Sequence, residues 1–62
     1  MASHKAPGNA EFRFNLATAQ KAAGDLAAAQ ATFRALLAIA PEHINGWFNL
    51  GNTCLQLGQA DA

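Results

Sequence analysis

Phe14-Asn15-Leu16 recurs 34 residues later as Phe48-Asn49-Leu50, and this offset constrains the fold more than any other feature of the chain. Residues 6–28 align on residues 40–62 without a gap. Ala6 matches Ala40, Pro7 matches Pro41, the Phe-Asn-Leu block matches itself, Gly24 matches Gly58 and Ala28 matches Ala62, so seven of 23 pairs are identical. The proline breakers, the core leucine and the glycine stops all keep step. An internal period of this length with helix–turn–helix content marks a stacked array. Each unit then has an apolar face that only a neighbour can cover.

The local signals give three helices. Ala, Leu, Gln and Phe dominate, with two prolines and no β-branched run, a composition that favours helix. Residues 1–8 are polar and end in Pro7-Gly8, which reads as a disordered lead-in before a helical domain over residues 9–62. Asn9 is the expected N-cap of a first helix over about residues 10–23, with Glu11 placed to complement the helix dipole. Phe12, Leu16, Ala19 and Ala23 recur along it at helical spacing. Gly24 stops it, and Asp25 caps a second helix over about residues 26–39. Leu26, Ala29, Phe33, Leu36, Leu37 and Ala40 share one broad face of that helix. The Gly-Asp link is so short that the two helices must be antiparallel. Ala17 and Ala29 are small enough to let them approach closely. Pro41 ends the second helix, Glu42-His43 turns the chain, and a third helix runs over about residues 44–57 to the stop at Gly58. At 3.6 residues per turn, Trp47, Leu50, Cys54 and Leu57 centre an apolar arc widened by Ile44, Phe48 and Leu55. Asn45, Asn49, Asn52 and Gln56 form a polar stripe away from it.

The residues resemble the tetratricopeptide repeat family. Trp47-x-x-Leu50-Gly51-x-x-Cys54 is similar to that family's W-x-x-L-G-x-x-Y, with Cys in place of the aromatic. Ala29-x-x-x-Phe33 followed by Pro41 is similar to its A-x-x-x-F…P half. The resemblance covers about residues 7–62 and implies an all-α superhelix fragment of about one and a half repeats. One full repeat spans residues 10–43, and the first helix of a second follows. Arg13 and Gln20 stand where Trp and Tyr are usual, a departure that fits a terminal repeat with one uncovered side. Phe12 and Phe14 flank Arg13 and supply bulk, while Arg13 can snorkel along the edge.

Composition excludes several functions. With four basic and four acidic residues the formal net charge is zero, so there is no electrostatic footprint for nucleic acid or an anionic membrane. One cysteine gives no disulfide framework, and His4, Glu42 and His43 do not form a metal-ligand set. Cys54 on an apolar arc is a poor nucleophile. No glycine-rich phosphate loop is present. The expectation is a protein that is not an enzyme and uses no cofactor or metal. The start of the chain has no signal-like apolar core and no run nears ~18 apolar residues. These absences make a soluble cytoplasmic protein the expected setting.

Two functional readings remain. In tetratricopeptide repeat proteins the first helices of successive repeats line a concave groove that holds an extended partner peptide. The resemblance therefore implies a peptide-binding face. The stripes, equivalent under the 34-residue shift, are Glu11, Asn15, Thr18 and Ala22 on the first helix and Asn45, Asn49, Asn52 and Gln56 on the third. Phe14 and Phe48 border them, either gripping apolar side chains or packing between helices. An asparagine side chain offers both a donor and an acceptor, so one per repeat can pair with a peptide backbone. Asn49-Leu50-Gly51-Asn52 resembles the repeats of the O-linked N-acetylglucosamine transferase family, which carry such a ladder. A carboxylate clamp of the chaperone-binding type would need basic residues, and Lys21 is the sole candidate near the groove. The second reading is assembly. The sequence stops where a return helix should begin, leaving Trp47, Leu50, Cys54 and Leu57 as an uncovered stripe for another copy or for further repeats. Leaving Trp47 and Leu50 exposed forgoes roughly 3–6 kcal/mol against a domain total of ~5–15 kcal/mol. A third helix lying flat on the other two would also cover them.

Overall fold

The computed structural model describes residues 7–58, which form α1 (Pro7–Ala22), α2 (Leu26–Ile39) and α3 (Ile44–Leu57). The described residues form an all-α helical repeat, with no strand among them. Residues 1–6 of the expected lead-in lie outside the described residues.

The first helix starts earlier than its sequence signals suggested. Pro7 and Gly8 are helical, so Pro7 opens α1 and Asn9 lies inside its first turn instead of capping it. Proline suits this place because its missing N–H would have had no partner in the first turn anyway. At the other end Gly24 has φ +87°, and the Asp25 and Gly24 amides donate to the carbonyls of Gln20 (2.9 Å) and Lys21 (3.0 Å). These two bonds satisfy otherwise orphaned carbonyls and reverse the chain. Asp25 then caps α2 by accepting from the Ala28 amide at 3.4 Å. The second reversal is built differently. The Ala40 amide donates back to Leu36, Pro41 prevents further helix, and His43 caps α3 by accepting the Gly46 amide on Nδ1 at 2.9 Å.

The core runs along α2. Ala29, Phe33 and Leu36 are fully buried, and Leu37 and Ala40 nearly so. Ala17 of α1 is equally buried, and with Ala29 it forms the small-residue contact that a tight antiparallel pair needs. Ala10, Phe14 and Leu50 pack against this cluster. The Phe14 ring meets Phe33 edge-on, with centroids 6.2 Å apart. At the Gln20 position, where an aromatic was expected, the Thr32 hydroxyl donates to Gln20 Oε1 at 2.7 Å and ties α2 to α1. Helix α2 thus packs on α1 through one side and on α3 through another, while α1 and α3 barely touch.

Candidate functional site

The polar stripes of α1 and α3 differ in exposure. Glu11 and Asn15 are exposed on α1, and Thr18 is half-buried, its hydroxyl donating to the Asn15 carbonyl at 2.9 Å. On α3, Asn45 and Gln56 are exposed, while Asn49 and Asn52 are half-buried. Lys21 of α1 reaches Asn49 Oδ1 of α3 with its ammonium at 3.5 Å. The Asn49 amide also donates to the Asn45 carbonyl at 2.8 Å, so this side chain is held in place from two directions. Asn15 has no such side-chain hydrogen bond among the described residues.

The two phenylalanines of the expected peptide site part company. Phe14 is half-buried, between Phe33 and the His43 ring, whose centroid is 4.9 Å away. It contributes packing beneath the face and does not stand on it. Phe48 is 68% exposed, on the apolar side of α3.

The expected apolar stripe of α3 also divides. Leu50 packs on the core, and Cys54 is half-buried with its sulfur 3.1 Å from Gln30 Nε2. Leu57 is half-buried, and Trp47 is 54% exposed with its indole N–H donating to the Pro41 carbonyl at 2.7 Å. The residues that seat α3 most deeply are Gly46 and Thr53. A Cβ on Gly46 would come within 2.8 Å of Leu36 Cδ2, so the helix approaches α2 through this glycine. Thr53 is fully buried, and its hydroxyl is satisfied by the Asn49 carbonyl at 2.7 Å, one turn back. Gly46, Leu50, Thr53 and Leu57 follow helical spacing, which was the available signal. It was masked because glycine and threonine do not register as apolar anchors.

With that side turned inward, a different set faces out. Ile44 is 79% exposed, Phe48 68% and Leu55 64%, and a Cβ on Gly51 would meet nothing within 4 Å. The 34-residue shift explains the set. Ala10, Phe14 and Ala17 of α1, which pack against the α2 core, become Ile44, Phe48 and Gly51 on α3. The uncovered face of α3 is therefore the counterpart of the face that α2 covers on α1. It consists of Ile44, Phe48, Gly51 and Leu55, with Trp47 at its border, in place of the expected Trp47, Leu50, Cys54 and Leu57.

Neither face resembles a reaction centre. His43 Nδ1 is committed to capping α3, and among the described residues no three of His, Cys, Asp and Glu gather as a metal site. No described helix is long and apolar enough to cross a membrane.

A family model described as tetratricopeptide repeat matches the chain twice, over residues 2–42 and residues 20–62. The first match contains α1 and α2, and the second contains α2 and α3, so each holds one antiparallel pair. No curated protein and no solved structure matches the chain.

Proposed function

Because the chain belongs to the tetratricopeptide repeat family, whose repeats are generally protein–protein interaction modules, we propose that it binds an extended peptide of a protein partner on its asparagine-bearing face. Asn15 and Asn49 carry the reading, as equivalent residues one repeat apart on the polar stripes of α1 and α3. Asn15 has its whole side-chain amide to offer a peptide backbone, and Asn49, already bonded to Lys21 and Asn45, keeps a second N–H and a second lone pair. Glu11, Thr18, Asn45, Asn52 and Gln56 extend the face. This is the backbone-directed capture suggested by the similarity of Asn49-Leu50-Gly51-Asn52 to O-linked N-acetylglucosamine transferase repeats. It tolerates varied partner side chains and calls for no catalysis, cofactor or metal from this segment. Nucleic acid and membrane are not proposed as partners, in keeping with the zero formal net charge. A cytoplasmic setting remains part of this proposal.

Peptides selected from a display library against the chain supply the test. Asn15→Ala with Asn49→Ala should weaken the selected binders about tenfold or more, corresponding to roughly 1.4 kcal/mol or above, with the helical circular dichroism unchanged. Binders that keep their affinity for the double variant, or for which backbone N-methylation of the peptide has no effect, would overturn the proposal.

A second reading is assembly through the uncovered apolar face of α3, with a second copy or further repeats as occupant. The exposure of Ile44, Phe48 and Leu55 around the open Gly51 favours it.

A further inference from the structure

Among the described residues nothing packs on Gly51. Its backbone is not in the left-handed conformation that Gly24 and Gly58 adopt, and no atom of α1 or α2 crowds it. A mid-helix glycine with neither reason weakens its helix relative to alanine. It is accounted for if another backbone or a large side chain comes close from outside. The flanking residues suit such a visitor. Ile44, Phe48, Gly51 and Leu55 are spaced four, three and four along α3, the alternation of a helix-pairing seam.

We propose that α3 of one copy lies antiparallel on α3 of a second copy about a two-fold axis, with Phe48 of each seated over Gly51 of the other. The proposal rests on the reading of this face as an assembly surface and specifies its occupant and geometry. The seam is self-complementary. Centred between positions 49 and 50, antiparallel pairing sets Ile44 opposite Leu55 and Phe48 opposite Gly51 on both sides of the axis. The largest seam residue thus meets the smallest. Charge does not oppose the contact, because α3 contains no charged residue, and opposed helix dipoles favour the antiparallel sense. The area is adequate for a weak dimer. At the exposures of Ile44, Phe48, Leu55 and Trp47, the face offers roughly 500 Å² per copy if a large side chain carries about 150–250 Å². A symmetric pair then buries about 1,000 Å², at the lower edge for a specific interface.

The test is sedimentation equilibrium of the full chain over a concentration series, for the wild type, Phe48→Glu and Gly51→Gln. Both positions are open in the single chain, so neither substitution disturbs its own core. The wild type should pass from the mass of one chain to that of two. Both variants should stay single with unchanged helicity, and Gly51→Gln should be at least as heat-stable as the wild type. In a Cys54→Ser background, Ile44→Cys with Leu55→Cys should oxidise to a covalent dimer. Either cysteine alone should not, because antiparallel pairing holds it about 16 Å along the helix axis from its own counterpart, at ~1.5 Å per residue. A single-chain mass throughout would overturn the second copy as occupant, and the assembly reading behind it would then rest on further repeats alone. Dimers that survive Gly51→Gln, single-cysteine variants that cross-link, or species that grow beyond two chains would overturn the antiparallel geometry alone. A monomer that binds a synthetic peptide of residues 26–40 through Phe48 would also overturn it, since the face would then take an α2-like helix.

Discussion

Two glycines of α3, five residues apart, make opposite demands. Gly46 is pressed between fully buried Leu36, nearly buried Leu37 and the capping ring of His43, while Gly51 faces open space. Gly46→Ala gains helix propensity worth about 1 kcal/mol, but overpacking a closed core costs about 1–3 kcal/mol. Leu36 is fully buried and its side chain has little room to yield, so the net effect should be destabilising. Gly51→Ala should instead stabilise the single chain by about 1 kcal/mol. Urea unfolding at low protein concentration should move the midpoint down for the first and up for the second. The sequence alone does not rank these glycines. Gly51 sits in the family-like Trp-x-x-Leu-Gly pattern and looks like the contact residue, whereas the tight contact in this chain falls on Gly46.

The helices themselves were largely legible, because their ends are set by local chemistry. Gly24, Asp25, Pro41 and Gly58 act through backbone geometry or short-range hydrogen bonds that need no tertiary context. The buried face of α2 was legible for a related reason. Its large apolar residues occupy one broad arc, and that arc is the one buried. The orientation of α3 was not, since Ile44, Trp47, Phe48, Leu50, Cys54, Leu55 and Leu57 extend around about half the helix. A helix so apolar has several plausible inner faces, and small Gly46 and Thr53 decide among them by allowing close approach. The Lys21 contact of Asn49 was not legible either, since it depends on how α1 and α3 are brought together. His43 was read only as part of a turn. Its ring is the cap of α3, and Phe14 stacks against it. His43→Ala should therefore cost about 1 kcal/mol or somewhat more, and His43→Asn should recover the capping share. Thermal unfolding of the two variants beside the wild type measures the difference.

At the scale of the whole molecule, α2 alone among the described helices has two closely packed neighbours, and it holds most of their buried apolar residues. Amide hydrogen exchange should accordingly be slowest around Phe33 and Leu36 and faster toward the start of α1 and the end of α3. Equal protection in all three helices would point to packing between α1 and α3 well beyond the slight contact in the structure. The near-absence of contact between the outer helices has a kinetic consequence. Every substantial packing partner is also the next helix along the chain, so few distant segments must find each other during folding. Helical chains with such short-range connectivity fold in microseconds to milliseconds, because little loop entropy is lost before contacts form. Either outer helix can then come and go while the remaining pair persists, so unfolding need not start from one fixed end.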